Sequence, residues 1–161
     1  MIILITGSSA SGKTTIARVL CEKYQLHHVD GDQVIKDLGL TSKAWNTIHD
    51  DLINEALKFD VCESVVISHV VVPEKFVFYQ EKLAKLGRNV QIVVLNPSLE
   101  SLHARSRIRK SHPKPTPPDV IDFFYDTFKL VQATNSTQLV IDTSHHTERD
   151  TLKTIVSYLN V

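Results

Sequence analysis

The stretch Gly7-Ser8-Ser9-Ala10-Ser11-Gly12-Lys13-Thr14-Thr15 brings together glycines, a lysine and hydroxyls at the spacing GxxxxGK[ST]. Glycines let a backbone curl until successive N–H groups face one centre, which is how a polyphosphate is held without side chains. A helix starting at Gly12 would add the partial positive charge of its N-terminus. Lys13 would then reach the β- and γ-phosphates of a nucleoside triphosphate, and the Thr14 hydroxyl would coordinate Mg²⁺. The whole run from Gly7 to Thr15 is the expected phosphate cradle, with ATP and Mg²⁺ as the ligands it implies.

Phosphoryl chemistry also needs a carboxylate, to complete the metal shell and to take a proton from the acceptor. Val29-Asp30-Gly31-Asp32 offers two at the end of an apolar run. Asp30 is the expected base and water-mediated Mg²⁺ ligand. Asp32 either shares in substrate binding or caps a helix beginning at Gln33. A base-reading N-K-x-D or T-K-x-D segment is absent from the sequence, which argues against a switch GTPase. Val65-Val66-Ile67 runs into Ser68 and His69, where a Walker B strand would end in an acid. His69 should face the acceptor pocket, either binding substrate or packing as a polar residue.

Between Glu100 and Asp119 the chain has no acidic residue, while Arg105, Arg107, Arg109, Lys110 and Lys114 are basic. Arg105 and Arg109 are four apart and would share a helical face. Four prolines at 113, 115, 117 and 118 stiffen the segment beyond them. This pattern suits a short basic lid over residues 105–118; the plainer alternative is a solvated helix end.

These groups require elements to hold them. Ile2–Ile5, Leu26–Val29, Val65–Ile67, Val90–Leu95 and Leu139–Ile141 are short apolar runs of the kind that form strands buried on both faces. Helical stripes separate them: Gly12–Tyr24, Ser42–Phe59, a segment opened by Pro73, another opened by Pro97, one behind a Thr116…Asp119 capping box, and a last one behind Thr147 and Asp150. Alternation of this kind predicts an α/β fold, a five-stranded parallel sheet with helices on both faces, in one domain over residues 1–161.

Composition narrows the function. The chain has 161 residues, 42 % hydrophobic and 22 % charged, and zero formal net charge. Duplex nucleic acid would call for a wider basic surface. Cys21 and Cys62 have no CxxC or metal-ligand spacing, as expected of thiols in a reducing cytosol. The apolar start MIILITG is too short for a secretory h-region, and no stretch is long enough to span a bilayer. A cytoplasmic protein with no membrane partner is the expectation.

GSSASGKTT, VDGDQVIKDLGLT and RSRIR together resemble the P-loop small-molecule kinases of the adenylyl-sulfate, gluconate and shikimate kinase kind. The first is similar to their Walker A segment. The second resembles the Asp-Gly-Asp segment of adenylyl-sulfate kinases, and the third the arginine-bearing start of the lid that closes over ATP. The resemblance implies that Arg105 lies on or near the adenine and that Arg109 stabilises phosphate charge in the transition state. It implies an ATP-dependent phosphotransferase acting on a hydroxyl of a small molecule. The acceptor stays open: Ile35 stands where an adenylyl-sulfate kinase carries arginine, and Ser68-His69-Val70 where a shikimate kinase carries glycines. Alternative readings are a nucleotide or polynucleotide 5′-end kinase and a non-catalytic ATP-binding regulator.

Overall fold

A computed structural model describes residues 1–108 (the side chain of Ser42 apart), 115–132 and 137–160. In it, five strands form one sheet: β1 (Ile2–Gly7), β2 (His27–Asp30), β3 (Val65–Ser68), β4 (Val90–Leu95) and β5 (Gln138–Ile141). Their order is β2-β3-β1-β4-β5, and every pairing is parallel. The expected architecture is the one observed.

The sequence pattern explains the layers. All six residues of β1 are buried, so this central strand has no solvent face. Ile2 and Leu4 point into a core shared with α3 (His49–Ala56), α4 (Phe76–Lys85) and α6 (Pro118–Phe128). Ile3 and Ile5 point the other way, against α1 (Lys13–Tyr24) and α7 (Glu148–Leu159). The remaining helices are α2 (Gly31–Asp37), which follows β2 at once, and α5 (Leu99–Ile108) after β4.

Three local expectations are corrected. The helix expected over residues 42–59 is broken into a 3₁₀ turn at Ser42–Asn46 and α3. The Thr47 hydroxyl donates to the Ala44 carbonyl at 3.0 Å and closes that turn locally. The second helix begins at Gly31, not Gln33, and Asp30 caps it: its Oδ1 accepts the Asp32 amide at 3.0 Å. No capping box forms at Thr116, because the N-cap of α6 is Pro117, which brings no side-chain acceptor. The Thr147–Asp150 capping box on α7 forms as expected.

Register brings the chemistry to one edge. Asp30 pairs with Ser68, and Ser68 with Ile5, while Gly7 pairs with Leu95. The ends of β1, β2 and β3 therefore line up at the carboxyl edge of the sheet, where ligands bind in open α/β folds. With strands about 4.8 Å apart, the row from Asp30 to β1 spans roughly 10 Å.

Candidate active site

The loop between β1 and α1 is built for close backbone approach. Gly7 has φ 139°, and a Cβ there would run into the Leu95 carbonyl, so no larger residue fits. Ala10 and Gly12 also take positive φ, 64° and 97°. Among the described residues, the amides of Ser9, Ala10 and Gly12 donate to no carbonyl. The Ser8 and Ser11 hydroxyls are buried and have no partner. Gly12 caps α1 without a side-chain acceptor, and the first turn holds no acid. A buried loop that leaves donors unmet and a helix terminus uncompensated fits an anionic group. Lys13 folds back over this loop, its Nζ donating to the Ser8 carbonyl at 2.8 Å. Thr14 and Thr15 sit in the first turn of α1, Thr14 half-buried and Thr15 exposed.

Two further elements lock onto the loop. Arg105, on α5, donates to the Ser11 carbonyl at 3.4 Å and to both the hydroxyl and the carbonyl of Thr143 after β5. It therefore braces the cradle against the β5–α7 connection. Burial pulls its pKa down, opposed by Asp142. Thr116 reaches the loop from the start of α6, its hydroxyl 3.1 Å from that of Ser9. Ser106 holds Thr116 in place by accepting its amide and donating to its carbonyl. Arg109, Lys110, Lys114 and the middle of the expected lid lie outside the described residues.

Asp30, Asp32, His69 and Trp45 lie near one another past the ends of β2 and β3, where the acceptor side is expected. Asp30 lies half-buried at the N-cap of α2, and Asp32 is exposed in its first turn. His69 is 3 % exposed. Its Nε2 lies 2.6 Å from the Trp45 carbonyl, which can only accept, so Nε2 carries the proton. Burial lowers its pKa and Lys13 acts in the same sense, while the Trp45 carbonyl, Asp32 and Asp30 oppose. Lys13 and both carboxylates are thus within electrostatic reach of this one ring. Behind it, Thr6 accepts the Val71 amide at 2.8 Å and donates to the Val71 carbonyl, pinning the chain after β3. Trp45 meets Phe124 of α6 edge-on at 5.1 Å between ring centroids.

Sequence reasoning missed the parts played by Thr6, Ser106 and the Trp45 carbonyl. Only Gly31, a glycine between two acids, carried a signal of close approach. A surface hollow of about 640 Å³ lies between α1 and α7, lined by Val19, Tyr24, Leu152 and Val156. It shares no residue with the cradle or with Asp30. Among the described residues no helix is long and apolar enough to cross a membrane.

No family model matches the chain. A 69-residue stretch is 41 % identical to a shikimate kinase from Caldicellulosiruptor saccharolyticus; it spans 42 % of this chain and 37 % of that protein. Solved structures share the fold over nearly the full length. A gluconokinase from Sinorhizobium meliloti superposes with TM-score 0.71 at 18 % identity, covering 98 % of this chain and 90 % of its own. A shikimate kinase from Bacteroides thetaiotaomicron gives 0.67 at 18 %, covering 100 % and 99 %. The Mycobacterium tuberculosis APS kinase, in complex with AMPPNP and APS, gives 0.66 at 14 %, covering 99 % and 97 %. The chain has the five-stranded parallel fold of these P-loop kinases.

Proposed function

We propose that this chain is a P-loop kinase that moves the γ-phosphoryl group of ATP to a hydroxyl of a small molecule. The observation that carries the reading is the uncapped N-terminus of α1. There the glycine N-cap, the unmet amides and the buried unpartnered hydroxyls of Ser8 and Ser11 fall within one short loop, onto which Lys13 folds back. The shikimate, gluconate and APS kinases that share the fold support it, because all of them are kinases of small molecules.

Each residue then has a task. The amides of Ser9, Ala10 and Gly12 and of the first turn of α1 bind and orient the phosphates. Lys13 exchanges its Ser8 contact for phosphate oxygens and neutralises charge as it shifts during transfer. Arg105 keeps the cradle and the Thr143 loop at fixed separation beneath the nucleotide. Asp30 accepts the acceptor's hydroxyl proton as the oxygen attacks phosphorus and the bond to ADP breaks. One Asp30 oxygen is used as the cap of α2, which fixes the orientation of the other. The Thr14 hydroxyl, with Asp30 through water, would hold Mg²⁺, which supplies charge neutralisation on the β- and γ-phosphates. Arg109 adds positive charge from the lid, as the family resemblance implies. A reducing cytosol suits the two thiols, both unpaired, Cys21 buried and Cys62 exposed.

Acceptor-dependent ADP release across a panel of hydroxylated metabolites tests the reading. Asp30→Asn keeps the cap oxygen but loses the base, so it should fold normally and lose about 10²–10⁴ in rate. Full activity in Asp30→Asn on a true acceptor would remove Asp30 from its role. MgATP binding with no acceptor-dependent turnover, in any member of the panel, would favour a regulator.

A further inference from the structure

His69 touches both walls of the acceptor side and is itself almost inaccessible. Its backbone extends the sheet one residue past β3, the amide donating to the Ile5 carbonyl at 3.2 Å. Its ring then turns under α2. A Cβ placed on Gly31 would collide with the Nδ1, Cγ and Cβ atoms of His69, so the first turn of α2 rests directly on the imidazole. The opposite nitrogen donates to the Trp45 carbonyl, 24 residues earlier in the chain. His49, 6.5 Å away ring to ring, is occupied with the Tyr79 hydroxyl at 3.1 Å and burial holds its pKa down to about 4. Its Nδ1 makes that contact, and the Trp45 carbonyl is held by His69.

Two segments that also pack on each other are therefore referenced to the end of β3 by one side chain. The first is Asp30-Gly31-Asp32, whose carboxylates flank the glycine. The second is the 3₁₀ turn carrying Trp45, which in turn packs on Phe124 of α6. We propose that His69 is the positioning residue of the acceptor side, tying the Gly31 turn and the Trp45 wall to β3 so that both carboxylates and the wall are set as one piece. This rests on the kinase reading for its purpose, but not for its test. It also explains why glycine stands between the two aspartates: any side chain there would displace the strut.

Trp45 is the only tryptophan in the chain, so its emission reports this wall with no substrate present. His69→Leu fills the space without a donor; His69→Gln restores an N–H at similar reach. The leucine variant should show emission shifted to longer wavelength and stronger acrylamide quenching, and the glutamine variant should return both toward wild type. Gly31→Ala should disturb Trp45 in the same direction, by displacing the His69 ring that a Cβ at 31 would strike. The decisive measurement is the cycle of Gly31→Ala and His69→Ala. The alanine at 31 should add nothing once the imidazole is gone; an undiminished additional shift in the double variant overturns the proposal. ATP affinity without Mg²⁺, measured by calorimetry, should stay within about twofold in His69→Leu, since the cradle is a separate loop. A parallel loss of metal-free ATP affinity and Trp45 order would mean general collapse and would also overturn it. Failure of wild type to bind MgATP would instead sink the kinase reading while leaving the fluorescence cycle to stand or fall alone.

Discussion

Two helices packed on the same face of the sheet begin in opposite ways. The N-terminus of α7 is closed by its own residues: Thr147 accepts the Asp150 amide, Asp150 accepts the Thr147 amide and hydroxyl, and Glu148 adds a second acid. The N-terminus of α1 has a left-handed glycine, no side-chain cap and no acid in its first turn. Both helices carry the same partial positive charge at this end. One has it compensated by side chains of its own first turn, and the other does not. A helix needed only for packing gains by being capped, so the difference marks α1 as the end with another duty.

The largest test of this contrast removes the cation that completes the open end. Lys13→Ala should cut acceptor-dependent ADP release by about 10²–10³, the loss typical of one preorganised charge donor. Its melting temperature should barely move; a large fall in stability would make Lys13 a folding residue. Next, the open end can be made to resemble the closed one. Thr15 is exposed in the first turn of α1, and Thr15→Glu supplies the missing acid. MgATP should bind about tenfold more weakly, which corresponds to roughly 1.4 kcal/mol of repulsion, while thermal stability holds or rises slightly. Unchanged affinity by calorimetry would show that phosphate does not sit at this terminus.

The smallest effect lies at α7. Thr147→Ala should lower stability by about 1 kcal/mol in urea denaturation and leave MgATP affinity alone. That deficit should depend on pH. The Thr147 hydroxyl and amide hold the Asp150 pKa below its ordinary 3.8, so the carboxylate's contribution is present above that value and lost as pH falls through the folded one. The gap between wild type and Thr147→Ala should narrow below about pH 4; a gap constant down to pH 3 would mean the box contributes nothing through its charge.

The same contrast shows what a sequence can disclose. The glycine loop after β1 was legible because GxxxxGK[ST] fixes backbone geometry locally, and the parallel sheet because Ile2–Ile5 and Val65–Ile67 are apolar without interruption. The capping box on α7 was legible for the same reason, its partners being three residues apart. Thr116 and Asp119 have that spacing too, yet Pro117 occupies the N-cap and the Thr116 hydroxyl turns to Ser9, 107 residues earlier in the chain. Trp45 and Ile48 fit a helical stripe, but Thr47 closes a turn on Ala44 and the stripe breaks. His69 was recognisable as a residue at a strand end. Its partners Gly31 and Trp45 are brought to it only by the pairing of β2 with β3 and the return of the chain beneath α2. Patterns between neighbours survive in a one-dimensional reading; those made by tertiary contact do not.

The paired hydrogen bonds between Ser106 and Thr116 have a consequence for how the chain between them can evolve. They fasten the two ends of a ten-residue span to each other, so the entropy of closing that ring is spent once, during folding. Insertions or deletions between the two residues would leave the fastening, the α5–α6 junction and the contact on Ser9 in place. Doubling a ring of that size costs only about 0.6 kcal/mol. The knot, and not the length of chain between its ends, sets where Thr116 meets Ser9.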